Sequence, residues 1–399
     1  MKPPSYLFLF LEIFEQEGGI QSYIQAVLSS YGELNDVPPA VIFLLRDRLE
    51  HSTLPASPNI RLRSLWHPNP QVARLKLAIA LLGFLWHQRP QRVFCGHIYL
   101  APLVAICCLP LRLPYTVITY GKEVWQPLPQ RLRLALQHAS QIWTISRYTR
   151  DRTCTANQLS PDRFQLLPCC VDGDRFFPGS KSAILLEQYG LTGAKVLLTV
   201  ARLWSGDRYK GVDVTIRALA AIAQAIPTVK YLVIGRGDDQ PRLAALAQTL
   251  HVADRVVFAG FVPTAALPEY YRLADGYVMP SQEGFGLVYL EAMACGVPVL
   301  AGDADGSADP LQDGRLGWQV DHRDPTAVAI ACIELLQCPP QCPTQCPTQC
   351  PPQYPPLDAG AAGIADPRCD RQWLRQQAIA NFGKATLPQR LRALLTTPA

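Results

Sequence analysis

Charge is scarce in this chain: Asp, Glu, Lys and Arg make up 17% of its 399 residues. There is no long basic or acidic run, and the net charge is only +5. That balance argues against a dedicated nucleic-acid binder, so no nucleic-acid partner is expected. It leaves attraction to phosphates, or peripheral contact with an anionic membrane surface, open. Long apolar runs are also missing. Leu100–Leu113 is too short to span a bilayer comfortably and is broken by Pro102 and Pro110. No secretory leader is evident, because acidic residues and Gly18-Gly19 stand where a cleavage site should follow Tyr6–Leu11. The expectation is a cytoplasmic protein that can rest on the inner face of a membrane. A complete dinucleotide fingerprint is lacking too. Ile234-Gly235-Arg236-Gly237 follows a strand pattern but has no third glycine, which argues against a nicotinamide-dependent oxidoreductase and for a tight turn.

What is present is a well-packing composition, 49% apolar, in a chain long enough for two cores. There are thirteen cysteines, expected as thiols in a reducing compartment. Four of them lie in Cys338-Pro-Pro-Gln-Cys342-Pro-Thr-Gln-Cys346-Pro-Thr-Gln-Cys350. A proline after each favours an extended chain that wraps poorly round one ion, so we read a low-complexity repeat rather than a thiolate metal site.

Strand-like and helix-like segments alternate through the first half. Strand patterns at Tyr6–Leu11, Ala40–Leu45, Arg92–Cys95, Tyr115–Thr119 and Gln141–Ile145 are interleaved with helical patterns at Gln21–Leu28, Gln71–His87 and Leu128–Ala139. The pattern restarts at Lys195–Val200 and continues to Val297–Ala301. The expected fold is α/β, with two Rossmann-like doubly wound domains facing across a cleft. Residues 1–180 and 181–337 would form the domains, 338–368 a Cys/Pro-rich linker, and 369–399 terminal helices packing back towards the first domain.

The segment richest in chemistry is Ser281-Gln-Glu283-Gly284-Phe285-Gly286-Leu287-Val288-Tyr-Leu-Glu291-Ala-Met-Ala-Cys-Gly296-Val-Pro298. Two glycines at a strand-to-helix turn allow close approach to the backbone, and the free N–H groups of the first helical turn attract anionic oxygens. Glu291 lies about five residues into the helix, roughly 7.5 Å along its axis, while Glu283 lies before it. A diphosphate at the helix start would have polyol groups beside each carboxylate. Arg202 after one strand and Lys210 before the next helix add cations suited to a departing diphosphate, with Arg208 competing for the second role. Asp303-Ala-Asp305 is read as a solvated loop rather than a chelating pair.

Glu283 and Glu291 match the Glu-x7-Glu pattern of the family 4 glycosyltransferases, and most of the chain, from Gly18-Gly19-Ile20 to Trp318, resembles that family. The resemblance implies the GT-B fold and retaining, metal-independent transfer of a hexosyl or other glycosyl group. The donor would be a nucleotide-diphosphate sugar, used as co-substrate with no further cofactor. A carbohydrate or lipid-linked acceptor is implied, in polysaccharide, glycolipid or other glycoconjugate synthesis. It places Glu291 on the ribose, Glu283 on the transferred sugar, Arg202 and Lys210 on the diphosphate, and the amides of Gly286, Leu287 and Val288 on the donor, with Gly284 and Phe285 in the same loop. Gly235 and Gly19 would line the cleft. Where the family has a sugar-touching histidine this chain has Tyr120, and His97 at another strand end is a second candidate for a sugar or acceptor contact. Leu167-Pro168-Cys169-Cys170-Val171-Asp172 is read as a hinge-side turn. The helix around Arg74, Lys76 and Trp86, with Arg61 and Arg63 before it, is open to two readings, core packing or an anionic membrane.

Overall fold

The computed structural model describes residues 5–338 and 366–396, so most of the Cys/Pro tract and of the linker 338–368 lies outside the described residues. Two compact units divide the chain. The first comprises 1–170, 283–287 and 382–399, and the second 171–282 and 288–381.

In the first unit the order is β1 (Tyr6–Phe10), α1 (Gly19–Glu33), β2 (Ala40–Leu44), β3 (Ile60–Ser64), α2 (Pro70–Gln88), β4 (Arg92–Cys95) and α3 (Ala101–Cys108). It continues with β5 (Tyr115–Thr119), α4 (Gln130–His138), β6 (Gln141–Thr144), α5 (Arg147–Asn157) and β7 (Phe164–Leu166). The seven strands form a parallel sheet in the order β3-β2-β1-β4-β5-β6-β7. Strand β1, Tyr-Leu-Phe-Leu-Phe, is buried throughout, as a central strand covered on both faces must be. Its neighbours β2 and β4 lie on opposite sides, so the chain reverses winding direction between β1 and β4. The loops leaving those two strands diverge there and open a crevice at the carboxyl ends.

The second unit holds α6 (Ala183–Gln188), β8 (Lys195–Val200), α7 (Val212–Ala225), β9 (Val229–Ile234), α8 (Gln240–Thr249), β10 (Val256–Gly260) and α9 (Leu267–Leu273). It continues with β11 (Gly276–Met279), α10 (Leu287–Ala294), β12 (Val299–Gly302), β13 (Trp318–Val320), α11 (Pro325–Gln337) and α12 (Arg371–Phe382). The last helix, α13 (Leu387–Thr396), packs on α1 in the first unit. The second sheet is also parallel, ordered β10-β9-β8-β11-β12-β13, and its winding reverses between β8 and β11. The loops that carry Arg202 and Glu283 therefore leave the two strands at the switch point. Each unit has its own core, one centred on β1, β4, α2 and α3, the other on β8, β9, α7 and α11.

The structure adds elements that periodicity did not separate. Strand β3 alternates Ile60-Arg61-Leu62-Arg63 at the sheet edge, where its arginines are exposed. Helix α5 is polar on most of its surface and starts where the Ser146 hydroxyl accepts from Thr149 N–H. The apolar run that ends at Leu113 is mostly α3. One expectation is corrected: Cys338 and Cys369 form a disulfide, so the cysteines are not all thiols. The bond joins the end of α11 to the turn before α12, and Cys369 is buried in the second core. Vicinal Cys169 and Cys170 form no disulfide with each other, and lie in the segment where the chain passes between units.

Candidate donor site and its comparisons

In the second unit, β8 ends at Val200 and the chain turns through Ala201 into Arg202. This turn lies so close to the next strand end that a Cβ at Gly235 would sit 1.8 Å from the Ala201 carbonyl oxygen, and one at Gly237 would sit 2.0 Å from that of Leu203. Gly235 also has φ +138°. Both glycines are thus required by backbone packing between the ends of β8 and β9, which explains the partial fingerprint. Arg202 is exposed and pairs with buried Asp207, Nη2 to Oδ2 at 2.9 Å. Arg202, Arg208 and Lys210 line one narrow cleft together with Asp207, Asp239 and Arg242. Asp239 takes a two-pronged hydrogen bond from Arg242, both at 2.6 Å, which leaves it only a longer contact of 3.9 Å to Arg208. The two predicted cations are therefore gathered in one place, along with Arg208. Lys210 Nζ also lies 5.2 Å from the Tyr209 ring centre.

Helix α10 carries Glu291 into the second unit. The carboxylate is buried and accepts from the Tyr271 hydroxyl at 2.7 Å. Burial pushes its pKa up to about 7, against the opposing pull of the Tyr271 hydrogen bond and the Arg175 cation. Tyr271 belongs to a buried aromatic layer. Its ring lies 5.8 Å from Tyr277, which lies 5.8 Å from Tyr289. The Tyr289 hydroxyl donates to the Met279 carbonyl, and the Tyr277 hydroxyl approaches Val200 at the end of β8. One cluster of tyrosines, tilted and edge-to-face, thus supports α10 and both switch-point strands. Sequence reasoning missed Tyr271 and Arg175. Their only sequence signal is that a buried carboxylate must have nearby donors.

The stretch Glu283–Leu287 belongs to the first unit. A Cβ at Gly284 would lie 2.2 Å from the Tyr120 carbonyl oxygen, so the loop after β5 requires glycine at this position. Gly286 has φ +93° and passes the chain into Leu287, the first residue of α10. Phe285 is buried against Phe382, ring centres 5.8 Å apart, while Glu283, Leu287 and Val288 are half-buried. Glu283 and Glu291, eight positions apart in sequence, thus occupy different surroundings.

The remaining first-unit candidates have defined contacts. The Tyr120 side chain is buried and its hydroxyl donates to the Gly96 carbonyl at 2.9 Å, tying the ends of β4 and β5 together. The next turn is held by Glu123, whose carboxylate accepts from the Tyr120 and Gly121 N–H groups. His97 follows β4, and its Nδ1 accepts from Tyr99 N–H at 3.2 Å. Burial, with the Arg46 cation nearby, lowers its pKa to about 4, so the ring is neutral near pH 7. Gly19 opens α1, with open space where a Cβ would project. The loop before it is held by buried Asp47, which accepts from the N–H groups of Ile13, Phe14 and Glu15 at 2.7, 2.9 and 3.1 Å. Nothing in the local sequence marks Asp47 for that role. Asp305 caps its own turn by accepting from Ser307 N–H at 2.8 Å.

Two doubly wound units in one chain, with cations at one switch point and a glycine turn opening a carboxylate-bearing helix, fit the GT-B class of glycosyltransferases. The family model described as "Glycosyl transferases group 1" matches residues 194–338. A GDP-mannose-dependent alpha-(1-6)-phosphatidylinositol monomannoside mannosyltransferase of Mycolicibacterium smegmatis is 34% identical over 347 residues, covering 81% of this chain and 87% of the relative. On that match the chain belongs to the group 1 glycosyl transferases, in family 4. A D-inositol 3-phosphate glycosyltransferase of Acidothermus cellulolyticus is 35% identical over 226 residues, covering 52% of this chain and 50% of the relative. In fold, the chain is similar to HepE of Anabaena solved in complex with UDP, at TM-score 0.72 and 19% identity over 99% of this chain and 100% of that one. No helix among the described residues is long and apolar enough to cross a membrane.

Proposed function

We propose that the enzyme transfers a hexosyl group, with retention of anomeric configuration, from a nucleoside-diphosphate hexose to a hydroxyl of a lipid-linked acceptor. The observation that carries this reading is Glu291. A buried carboxylate on a helix whose glycine-bounded start attracts phosphate is suited to accept hydrogen bonds from ribose hydroxyls. Arg202 and Lys210, with the amides of Gly286, Leu287 and Val288, balance negative charge as the diphosphate departs. This arrangement of cations and amides needs no metal ion. Glu283 faces the transferred sugar, and a donor phosphate oxygen takes the proton from the attacking acceptor hydroxyl. Retention follows if the new bond forms on the face the diphosphate leaves. The reading of the acceptor is supported by the relatives, whose names specify phosphatidylinositol mannosides and inositol phosphate. Glycolipid synthesis on the cytoplasmic side of a membrane is the setting this implies.

The test is a panel of nucleoside-diphosphate sugars, GDP-mannose first, with phosphoinositide and soluble inositol acceptors. Release of nucleoside diphosphate and the anomeric coupling of the product are followed by NMR, before and after exhaustive chelation. An α-linked product from an α-linked donor, formed equally fast after chelation, is expected. An inverted product, or activity restored only by a divalent cation, overturns the mechanism.

A further inference from the structure

Helix α12 contributes no side chain to the donor site described above, yet one of its residues ties together the surroundings of Glu291. Arg375 donates from Nη1 to the carbonyls of Phe176 and Ala294, at 2.6 and 2.9 Å, and from Nη2 to that of Gly173, at 2.8 Å. These carbonyls come from two remote pieces of chain, both in the second unit. Ala294 ends α10, the helix that carries Glu291. Gly173 and Phe176 flank Arg175. A Cβ at Gly173 would lie 2.7 Å from Ile379 Cδ1, so this segment rests directly on α12.

The bridged segment reaches Glu291 in two ways. Burial raises the pKa of that carboxyl, and the Tyr271 hydrogen bond and the Arg175 cation pull it back. The Phe176 ring also meets Tyr271 edge to face, centres 5.9 Å apart, and the Tyr271 hydroxyl donates to the carboxylate. Arg175 Nη2 is buried without a hydrogen-bond partner among the described residues. The place of this cation therefore depends on the backbone either side of it, and Arg375 holds both sides. A staple between α12 and α10 would need only the Ala294 contact. The other group facing Glu291 is Cys295 on α10 itself, on which Arg272 and Arg375 act.

We propose that Arg375 is a positioning residue for nucleotide binding: by fixing Gly173 and Phe176 to the end of α10, it holds the Arg175 cation beside the carboxylate that receives the ribose. The inference rests on the reading of Glu291 as the ribose acceptor. A cation beside a buried carboxylate favours its charged form. With Arg175 displaced, Glu291 ionises at higher pH, so fewer molecules present the anion near neutrality. Affinity falls most there, and the loss shrinks in alkali, where parent and variant both carry the carboxylate.

The test is calorimetric titration of the full chain with GDP, or with UDP if it binds more tightly, from about pH 6 to pH 9. Arg375→Gln and Arg175→Gln are each expected to weaken binding about three- to tenfold near pH 7, and to regain parent-like affinity towards pH 9. Arg175→Gln leaves the three carbonyl bonds in place and so calibrates loss of the cation alone. In a Glu291→Gln background, Arg375→Gln is expected to change affinity less than about twofold. Melting curves verify the fold. Arg375→Lys, which keeps a cation but loses the fork, replaces Arg375→Gln if that variant does not fold, with a smaller loss of the same pH dependence expected. Unchanged affinity in the Arg375 variant, a loss independent of pH, or an equal loss in the Glu291→Gln background overturns the proposal. Unchanged affinity in Glu291→Gln alone overturns the ribose reading, and this inference with it.

Discussion

Glu291 sits where it costs the fold stability, and the cost has a definite pH dependence. Burial holds its carboxyl at about 7 in the folded protein, against an ordinary value of 4.5. Below about pH 4.5 the group is protonated in both states and contributes nothing. As pH rises through 4.5 towards 7, the unfolded chain ionises first, and stability falls. Above about pH 7 both states are ionised, and the full penalty, about 3 kcal/mol, is in place. Glu291→Gln keeps the shape and an oxygen for the Tyr271 hydroxyl but cannot ionise. The variant is expected to match the parent near pH 4.5 and to exceed it near pH 8 by up to that 3 kcal/mol. For a unit of this size that is roughly 6–12 °C in Tm. Nucleotide affinity should move the other way. Loss of a charged acceptor for ribose hydroxyls costs about 1.5–3 kcal/mol, or roughly ten- to hundredfold in Kd. Parent affinity should also weaken as pH falls below about 7, because binding favours the carboxylate, while the variant's affinity stays flat. Thermal melts and calorimetric titrations with nucleoside diphosphate from pH 4.5 to 8 test both arms. Parallel stability profiles for parent and variant would refute the buried-carboxylate argument. Unchanged affinity would refute the ribose assignment.

Three further outcomes follow from the geometry. Arg202→Gln takes the cation from buried Asp207 and should cost about 1–3 kcal/mol of stability, while lowering kcat by roughly 10²–10³. A change confined to KM would restrict Arg202 to ground-state binding. Tyr120→Phe removes the hydroxyl that donates to Gly96, and should cost about 1 kcal/mol of stability with turnover altered less than about threefold. A collapse of kcat in a folded variant would instead place that hydroxyl on the substrate. Replacing Cys338 and Cys369 with serine opens a closure of 31 residues and should destabilise the second unit by about 3–4 kcal/mol, read as a lower Tm. Equal melting of the oxidised and reduced parent protein would rule out a structural role for that bond.

The fold was readable wherever apolar runs were short and bounded by Gly, Pro or polar turns. Strands β5 and β8 occupy the residues that periodicity assigns to them. Two of the elements missed are ones in which burial and hydrophobicity diverge. Strand β3 alternates arginine with aliphatic residues because it is an edge, and α5 is a helix through capping and packing rather than an apolar stripe. The disulfide was hidden by abundance, because thirteen cysteines with a repeat among them do not indicate which two meet.

The candidate site divides along a different line. Glu283, Gly284, Gly286 and Glu291 were legible because one turn and one helix fix their spacing. Asp207 is likewise within a few residues of Arg202. The groups that set the chemistry of these residues come from remote parts of the chain, and only sheet order brings them close. Tyr271 reaches Glu291 from α9, twenty residues earlier, and Asp47 holds the loop before Gly19 from more than thirty residues later. The motif separates the two glutamates by position, and the fold adds the burial and the Tyr271 hydrogen bond that set Glu291 apart. Among the described residues, Tyr271 is the one hydrogen-bond donor on the Glu291 carboxylate, which can accept several. A carboxylate buried at a cost of about 3 kcal/mol, with most of its acceptor capacity unused, is poorly explained by stability. A ligand that brings two adjacent hydroxyls to it, as a ribose does, offsets that cost on binding.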